Sequence, residues 1–137
     1  MIFLDTGFLI ALFNKRDNHH KRVLEVFGEL RGKSLADELL TTDLVIIETI
    51  TFLVRKVSHE RSVYVGERLY SQNIARIYET RLEDHKPAFE YLKRHEDKKY
   101  SVVDCMSFVV MERLGLREAL AVDSDFTHSF VARPGPI

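Results

Sequence analysis

The chain of 137 residues has the length of one compact domain, and its 45% hydrophobic and 30% charged residues are typical of a globular protein. Its 20 basic and 21 acidic residues leave a formal net charge of −1, which excludes a uniformly basic coat for nucleic acid but not a local basic surface. The one cysteine, Cys105, excludes an internal disulfide framework, as expected in the cytoplasm.

The N-terminal segment is apolar but has neither the length nor the flanking residues of a targeting signal. Its continuous apolar stretch, residues 8–13, is far shorter than the ~20 residues that cross a bilayer. Asp5 interrupts the segment, and no basic leader precedes it. We therefore expect a complete, soluble, cytoplasmic protein that makes no membrane contact and folds as a single domain over residues 1–137.

Short apolar stretches alternate along the chain with segments of helical periodicity. Strands are predicted at Ile2–Leu4, Leu39–Thr42, 74–78, 119–122 and 130–132. Helices are predicted at 8–13, 17–30, 44–56, 60–71, 82–95 and Val102–Leu114. The second helix is expected to be closed by Gly32 and the last by Gly115. This alternation predicts an α/β domain with a mainly parallel sheet.

Four acidic residues stand in otherwise apolar surroundings. Asp5 and Asp123 each follow a predicted strand, while Glu48 and Asp104 belong to apolar helices. Functional sites of parallel sheets gather beyond the carboxyl ends of the strands. Because a carboxylate close to a core is costly unless it is paired, hydrogen-bonded or metal-bound, four of them suggest one shared site.

Such a site needs a positive charge that the neighbouring sequence does not supply. No lysine or arginine lies within three residues of any of the four acids, and no His/Cys set has zinc-ligand spacing. Mg²⁺ and Mn²⁺ prefer carboxylate oxygens, and such an ion can activate water for attack on a phosphodiester. The pattern therefore predicts phosphodiester hydrolysis, with RNA and single-stranded DNA both open as substrates.

Each acid also has a structural interpretation that the sequence leaves open. Ser101 and Asp104 match a capping box, Asp123 and Asp125 could form a turn, and Asp5 could end its strand in one. Basic residues form clusters at 15–22, 55–61 and 93–99, which are mostly expected to be solvated helix faces. A minority of them could position substrate phosphates at the mouth of the site.

The order and spacing of these motifs resemble the PIN-domain nucleases, in particular the VapC-type toxins of VapBC toxin–antitoxin pairs. The similarity covers nearly the whole chain. The opening strand with Asp5-Thr6, the helix with Glu48, the Ser101-Val-Val-Asp104 motif and the Asp123-Ser-Asp125-Phe motif match the family in order. Ala121 departs from the pattern, since many relatives carry Thr or Ser two residues before the fourth acid.

The resemblance implies a PIN-like three-layer sandwich, with a five-stranded parallel sheet flanked by helices. It also implies an Mg²⁺- or Mn²⁺-dependent endoribonuclease that is commonly a homodimer and is covered by a small antitoxin protein. Asp5, Glu48, Asp104 and Asp123 would bind metal, while Thr6, Ser101 and Asp125 would orient those ligands.

Three other functions compete with the toxin interpretation. A PIN fold could dock a partner without cleaving, or cleave RNA in processing outside a toxin–antitoxin pair. A phospho-acceptor receiver domain also unites acids and Mg²⁺ on an α/β sheet. A receiver would need a lysine at the last strand, where this chain has Arg133.

Overall fold

The computed structural model describes residues 1–30 and 34–136, and within these ranges five strands form one sheet. The strands are β1 (Ile2–Leu4), β2 (Leu39–Thr42), β3 (Arg76–Tyr78), β4 (Glu118–Ala121) and β5 (Val131–Pro134). Their order in the sheet is β3-β2-β1-β4-β5, and all four pairings are parallel. The central strand β1 therefore has a hydrogen-bonded neighbour on each side.

Seven helices connect these strands in the described part of the chain. They are α1 (Thr6–Phe13), α2 (His20–Glu29), α3 (Leu35–Glu38), α4 (Asp43–Lys56), α5 (His59–Tyr70), α6 (Leu82–Arg94) and α7 (Val102–Leu114). α1 packs against α2 and α4, α4 packs against α5, and α6 packs against α7. The α/β class and the parallel five-stranded sheet expected from the sequence are confirmed.

The strand order explains where a site can form. The connections from β1 to β2 and from β2 to β3 step in one direction, whereas the connection from β3 to β4 returns past β1. Because such crossovers are right-handed, α6 and α7 cover the face opposite to α1 and α4. The order thus reverses between β1 and β4, and parallel sheets bind ligands beyond the carboxyl ends of the strands at such a point.

The central strands are buried on both faces of the sheet. Phe3 pairs with Ala119 and Leu4 with Leu120, and all four side chains are fully buried. A parallel sheet covered by helices on both faces favours such continuous apolar strands over alternating ones. The apolar stretches at 2–4, 39–40 and 119–122 were therefore reliable strand signals.

β1, β2 and α7 have the predicted bounds, whereas the other predicted elements differ from the predictions by one to three residues at one end or both. α1 begins at Thr6 rather than at 8, and α2 begins at His20 rather than at 17, because a turn in which the His20 N–H bonds the Asp17 carbonyl precedes it. The four-residue helix α3 was not predicted. Gly32 lies outside the described residues, whereas Gly115 closes α7 as expected. Over the described ranges, no helix combines the length and apolarity needed to cross a membrane.

Candidate functional site

Asp5 lies at the junction of the central strand β1 and helix α1. Its backbone N–H donates to the carbonyl of Leu120 at 3.1 Å, which ties the junction to β4. Its side chain is buried and caps α1 by accepting the Gly7 N–H at 3.3 Å. The expected turn after the strand is therefore present, but it holds a buried carboxylate at the point where the strand order reverses.

Asp123 and Asp125 lie in the loop that follows β4. The Asp125 N–H donates to Oδ1 of Asp123 at 3.0 Å, so the two residues form the expected turn. Asp123 is exposed, and Asp125 is half-buried. Burial and the neighbouring Asp123 charge raise the pKa of Asp125, while His128 lowers it. The loop thus places two carboxylates beside the carboxyl end of β4.

Asp104 lies in the first turn of α7, where it forms the capping box that the sequence suggested. The Asp104 N–H donates to Oγ of Ser101 at 3.0 Å, and the Ser101 N–H donates to Oδ2 of Asp104 at 2.9 Å. The second carboxylate oxygen, Oδ1, accepts no hydrogen bond within the described part of the chain. Capping therefore occupies one oxygen and fixes the orientation of the carboxylate, leaving the other free.

Glu48 lies in the second turn of α4, a helix whose start is fixed by Thr42. Oγ1 of Thr42 accepts the Val45 N–H at 3.2 Å and so caps the helix directly after β2. Glu48 is half-buried in a groove that it shares with Val103, the neighbour of Asp104. Glu48 therefore faces α7 across this groove.

The four sequence-predicted acids are close enough to perturb one another electrostatically. Burial raises the pKa of Asp5 well above its ordinary value, and the charges of Asp104 and Asp123 add to this effect. Burial also raises the pKa of Asp104 to about 6, with further contributions from the charges of Asp125, Asp123 and Glu48. Neighbouring carboxyl groups that raise one another's pKa are typical of a site that binds a cation or performs acid–base chemistry.

The donor chemistry of this site fits a hard divalent cation. Oγ1 of Thr6, the residue that follows Asp5, is buried and has no hydrogen-bond partner among the described residues. No three His, Cys, Asp or Glu side chains in the described ranges are already arranged around a single ion. Each of Asp5, Asp104 and Asp123 instead accepts a local backbone N–H. Oxygen donors that repel one another in this way are the set that Mg²⁺ or Mn²⁺ prefers.

Cys105 follows Asp104 but has the properties of a core residue. Its side chain is buried, and burial together with the Asp104 charge raises the pKa of the thiol to about 11. A thiol with so little thiolate at neutral pH is a poor nucleophile. Cys105 is therefore a core residue and not a candidate nucleophile.

His128 contributes to the site although it belongs to none of the acidic motifs. It is exposed, but its Nδ1 bonds the Asp125 carbonyl at 2.8 Å and its Nε2 bonds the Tyr91 hydroxyl at 2.6 Å. Its ring also packs edge-on against Phe108, at 4.8 Å between centroids. His128 thereby ties the Asp123–Asp125 turn to α6 and α7, a connection across more than 30 residues that no local motif reveals.

The fold and the site together place this protein in a known family. The sequence profile of the PIN domain matches residues 2–129, and the chain belongs to the PIN domain family. Its sequence is 32% identical to the 23S rRNA-specific endonuclease VapC20 of Mycobacterium tuberculosis (strains CDC 1551 / Oshkosh and H37Rv). That similarity extends over 127 residues, or 93% of this chain and 92% of the relative.

Solved structures agree with this assignment. The crystal structure of M. tuberculosis VapC20, described as a sarcin-ricin loop cleaving toxin, matches with a TM-score of 0.84 and 30% identity over 93% of this chain and 94% of that one. FitAcB from Neisseria gonorrhoeae matches with a TM-score of 0.64 at 15% identity, over 96% of each chain. DNA-bound VapBC from Salmonella typhimurium matches with a TM-score of 0.60 at 18% identity, over 96% and 97%. The last two show the fold alone.

Proposed function

We propose that this chain is a divalent-metal-dependent endoribonuclease that acts in the cytoplasm as the toxin of a toxin–antitoxin pair. In this proposal residues 1–137 form one nuclease domain. The observation that carries it is the set of mutually repelling carboxylates of Asp5, Glu48, Asp104 and Asp123, where the strand order reverses. Like charges held this close together persist in a fold when a ligand compensates for their repulsion.

The choice of RNA as substrate rests on the relative with the matching sequence. VapC20 is a 23S rRNA-specific endonuclease, and its similarity extends over 93% of this chain. The attack of a metal-activated water on a phosphodiester does not by itself distinguish RNA from DNA. We therefore propose RNA as the substrate class and 23S rRNA as the first RNA to test.

The side chains of the site have two roles in this proposal: some bind the ion, and others orient the side chains that bind it. Asp5, Glu48, Asp104 and Asp123 supply carboxylate oxygens for Mg²⁺ or Mn²⁺. When bound, such an ion lowers the pKa of a water and balances the charge that develops on the phosphodiester. Ser101 orients the carboxylate of Asp104 through its backbone N–H.

Two further residues assist these ligands in the proposal. Asp125 orients Asp123 through the hydrogen bond that closes their turn. The buried hydroxyl of Thr6, which has no hydrogen-bond partner among the described residues, is available to bond a ligand or a water in the site. Outer groups of this kind fix the direction of metal ligands and tune their basicity.

The same proposal includes two protein partners. A nuclease that attacks the RNA of its own cell needs an inhibitor, and we propose a small antitoxin protein that covers the acidic site. We also propose a homodimer. The side chains of Leu82 and Phe89 on α6 are 82% and 55% exposed, and such apolar groups favour burial against a partner.

Cleavage by the purified protein tests the proposal. The substrates are 23S rRNA, single-stranded RNA and single-stranded DNA, each incubated with Mg²⁺, Mn²⁺ or EDTA. We expect RNA cleavage with metal, none with EDTA, and a loss of at least ~10-fold in the Asp104→Asn variant, since disturbing even the groups that orient a metal ligand typically costs ~10–100-fold. Asp37→Asn is the matched control, because Asp37 is exposed and pairs with Arg76 before β2.

Two results would contradict the proposal. Failure to cleave under any metal, by folded protein freed of copurifying inhibitor, would favour a PIN-fold docking module. Cleavage that persists unchanged in Asp104→Asn would place the chemistry elsewhere.

A further inference from the structure

Two basic clusters that lie 40 residues apart in the sequence meet in one pocket. Lys15 and Arg16 follow the end of α1, Lys56 ends α4, and Arg61 lies in the first turns of α5. These four side chains, together with Phe13, Asn14 and Val57, line a cavity of about 360 Å³, here called the basic pocket. Among the residues that the structure describes, no acidic side chain lines it.

The positive charge of the basic pocket is not balanced by the protein. Within residues 1–30 and 34–136, none of its four cations forms an ion pair with a carboxylate. By contrast, Arg76 and Arg133 elsewhere on the surface each pair with at least one acid. In a chain with a net charge of −1, four unpaired cations around one concave surface are a concentrated site for an anion.

Arg61 is already held in position for such an anion. Its Nε donates to the Phe13 carbonyl at 3.0 Å, and its guanidinium carbon lies 5.7 Å from the Phe13 ring and 5.5 Å from the Tyr64 ring. Its two terminal nitrogens donate no hydrogen bond within the described residues. A stacked guanidinium with two free terminal NH₂ groups matches the bidentate geometry of phosphate recognition.

A groove connects the basic pocket to the acidic site. Lys56 lines the basic pocket and also a second, largely apolar cavity of about 460 Å³ that extends along α4 to Glu48 and Val103. Ile47 and Phe52 form part of the surface of this groove. From Glu48 to Lys56 the helix advances eight residues, or about 12 Å at ~1.5 Å per residue.

We propose that the basic pocket binds a backbone phosphate of the RNA strand at some distance from the phosphate that is cleaved. The inference rests on the proposed ribonuclease function. The strand would run from the acids along α4, with bases against Ile47 and Phe52 and a distal phosphate among Lys15, Arg16, Lys56 and Arg61. Basic grooves with apolar and aromatic surfaces bind single strands in this way, and phosphate contacts position a strand without selecting its sequence.

The salt dependence of RNA binding tests this assignment. A labelled single-stranded RNA is titrated in EDTA, which prevents cleavage, and the association constant is measured at several salt concentrations by fluorescence anisotropy. On a single strand, the log–log slope against salt changes by ~0.7 for each phosphate that the protein no longer neutralises. Because the pocket is proposed to bind one phosphate, we expect Lys15→Gln/Arg16→Gln to reduce the slope by up to about 0.7 and to weaken binding equally for unrelated sequences.

A matched control removes the same charge elsewhere. Lys86→Gln/Lys93→Gln neutralises two exposed cations of α6, outside the pocket and the groove. We expect this control to leave the slope within the error of the parent protein. Thermal unfolding of both double variants confirms that they fold, since all four residues are exposed.

Steady-state cleavage separates this inference from the function on which it rests. We expect Lys15→Gln/Arg16→Gln to raise KM with little change in kcat, because an interaction far from the reacting phosphate contributes to binding alone. If the parent cleaves RNA with metal but the slope and KM of the variant are unchanged, the pocket does not bind RNA. If the slope falls as expected but no protein cleaves RNA, the pocket assignment stands and the nuclease function fails. Release of a copurifying protein with unchanged RNA binding would assign the pocket to a protein partner and overturn the inference.

Discussion

Replacement of Asp104 by asparagine tests whether this residue is a member of a repelling acidic site or only the cap of α7. Asparagine keeps the size of the side chain and an oxygen that can accept the Ser101 N–H. The capping geometry is therefore retained while the negative charge is removed. Any difference in stability between the two proteins then reports the cost of the charge.

The size and the sign of the effect follow from the pKa of Asp104. Burial and the neighbouring acids raise this pKa from 3.8 to about 6, although the Ser101 N–H opposes them. The corresponding free energy is about 3 kcal/mol at ~1.4 kcal/mol per pKa unit, an upper value because solvent screens a half-buried group. The raised pKa means that the folded state favours the protonated form of Asp104. The stabilisation that protonation gives is therefore complete below pH 3.8 and is lost as the pH rises through about 6.

Urea unfolding in EDTA between pH 4 and pH 8 measures this difference. We expect Asp104→Asn to match the parent near pH 4 and to exceed its free energy of unfolding by up to about 3 kcal/mol at pH 8. Asp37→Asn should instead lower the free energy of unfolding at pH 8. Arg76 lowers the pKa of Asp37, so the stabilisation that this pair gives to the parent is present at high pH and is lost as the pH falls. Addition of Mn²⁺ should stabilise the parent and not Asp104→Asn.

A pH-independent loss of stability in Asp104→Asn would refute this reasoning. Such a result would mean that Asp104 acts on the fold only as a helix cap. A higher free energy of unfolding of Asp104→Asn at pH 8, with equal stabilisation of both proteins by Mn²⁺, would have a different meaning. It would support the charge repulsion but show that Asp104 does not bind the metal.

Three further predictions, made with four substitutions, test other parts of the structure. Gly115→Ala should lower the free energy of unfolding by about 1–2 kcal/mol, because Gly115 has a φ of +69°, which disfavours a side chain. Gly28→Ala should raise the free energy of unfolding by up to ~1 kcal/mol. Alanine has the higher helix propensity, and the added methyl group meets no atom within 4 Å. Arg113→Leu should lower the free energy of unfolding in urea, because the fully buried carboxylate of Asp84 loses its cation. His128→Phe should weaken Mn²⁺ binding about tenfold in calorimetry, because the Asp125 carbonyl loses its anchor.

Each of these three has a clear contrary result. Equal effects of the two glycine substitutions would deny the left-handed conformation at Gly115. An unchanged unfolding midpoint for Arg113→Leu would show that the hydrogen bonds from Tyr78 and from the Arg81 N–H suffice for Asp84. Unaltered Mn²⁺ affinity of His128→Phe would separate the loop anchor from the metal site.

The acidic cluster and the parallel sheet could be predicted because both depend on local patterns. Ile2–Leu4 and Leu39–Thr42 are apolar stretches that end at polar residues, and strands buried on both faces require such sequences. The carboxyl ends of parallel strands lie at one edge, so Asp5 and Asp123 could be placed together without knowledge of the strand order.

The remaining features depend on packing between distant segments. The basic pocket arises because α1 packs against α4 and α4 against α5, and nothing near Lys15 indicates Lys56 or Arg61. Local hydrogen bonds also move element boundaries. β3 begins at Arg76 rather than at 74, because Gln72 adopts a positive φ of 58° and its side chain accepts the Ile77 N–H. The buried residues Ile74 and Ala75 belong to the core but not to the strand.

Direct measurement of metal binding tests the central claim that the four acids share a divalent cation. Mn²⁺ is titrated calorimetrically into the parent protein, into Asp5→Asn and Asp123→Asn, and into the Asp37→Asn control at pH 7.5. We predict saturable binding to the parent and the control, with a loss of at least about tenfold in affinity for each site variant. Identical Mn²⁺ affinity of all four proteins, or no binding to the parent, would contradict the claim that these acids share a divalent cation.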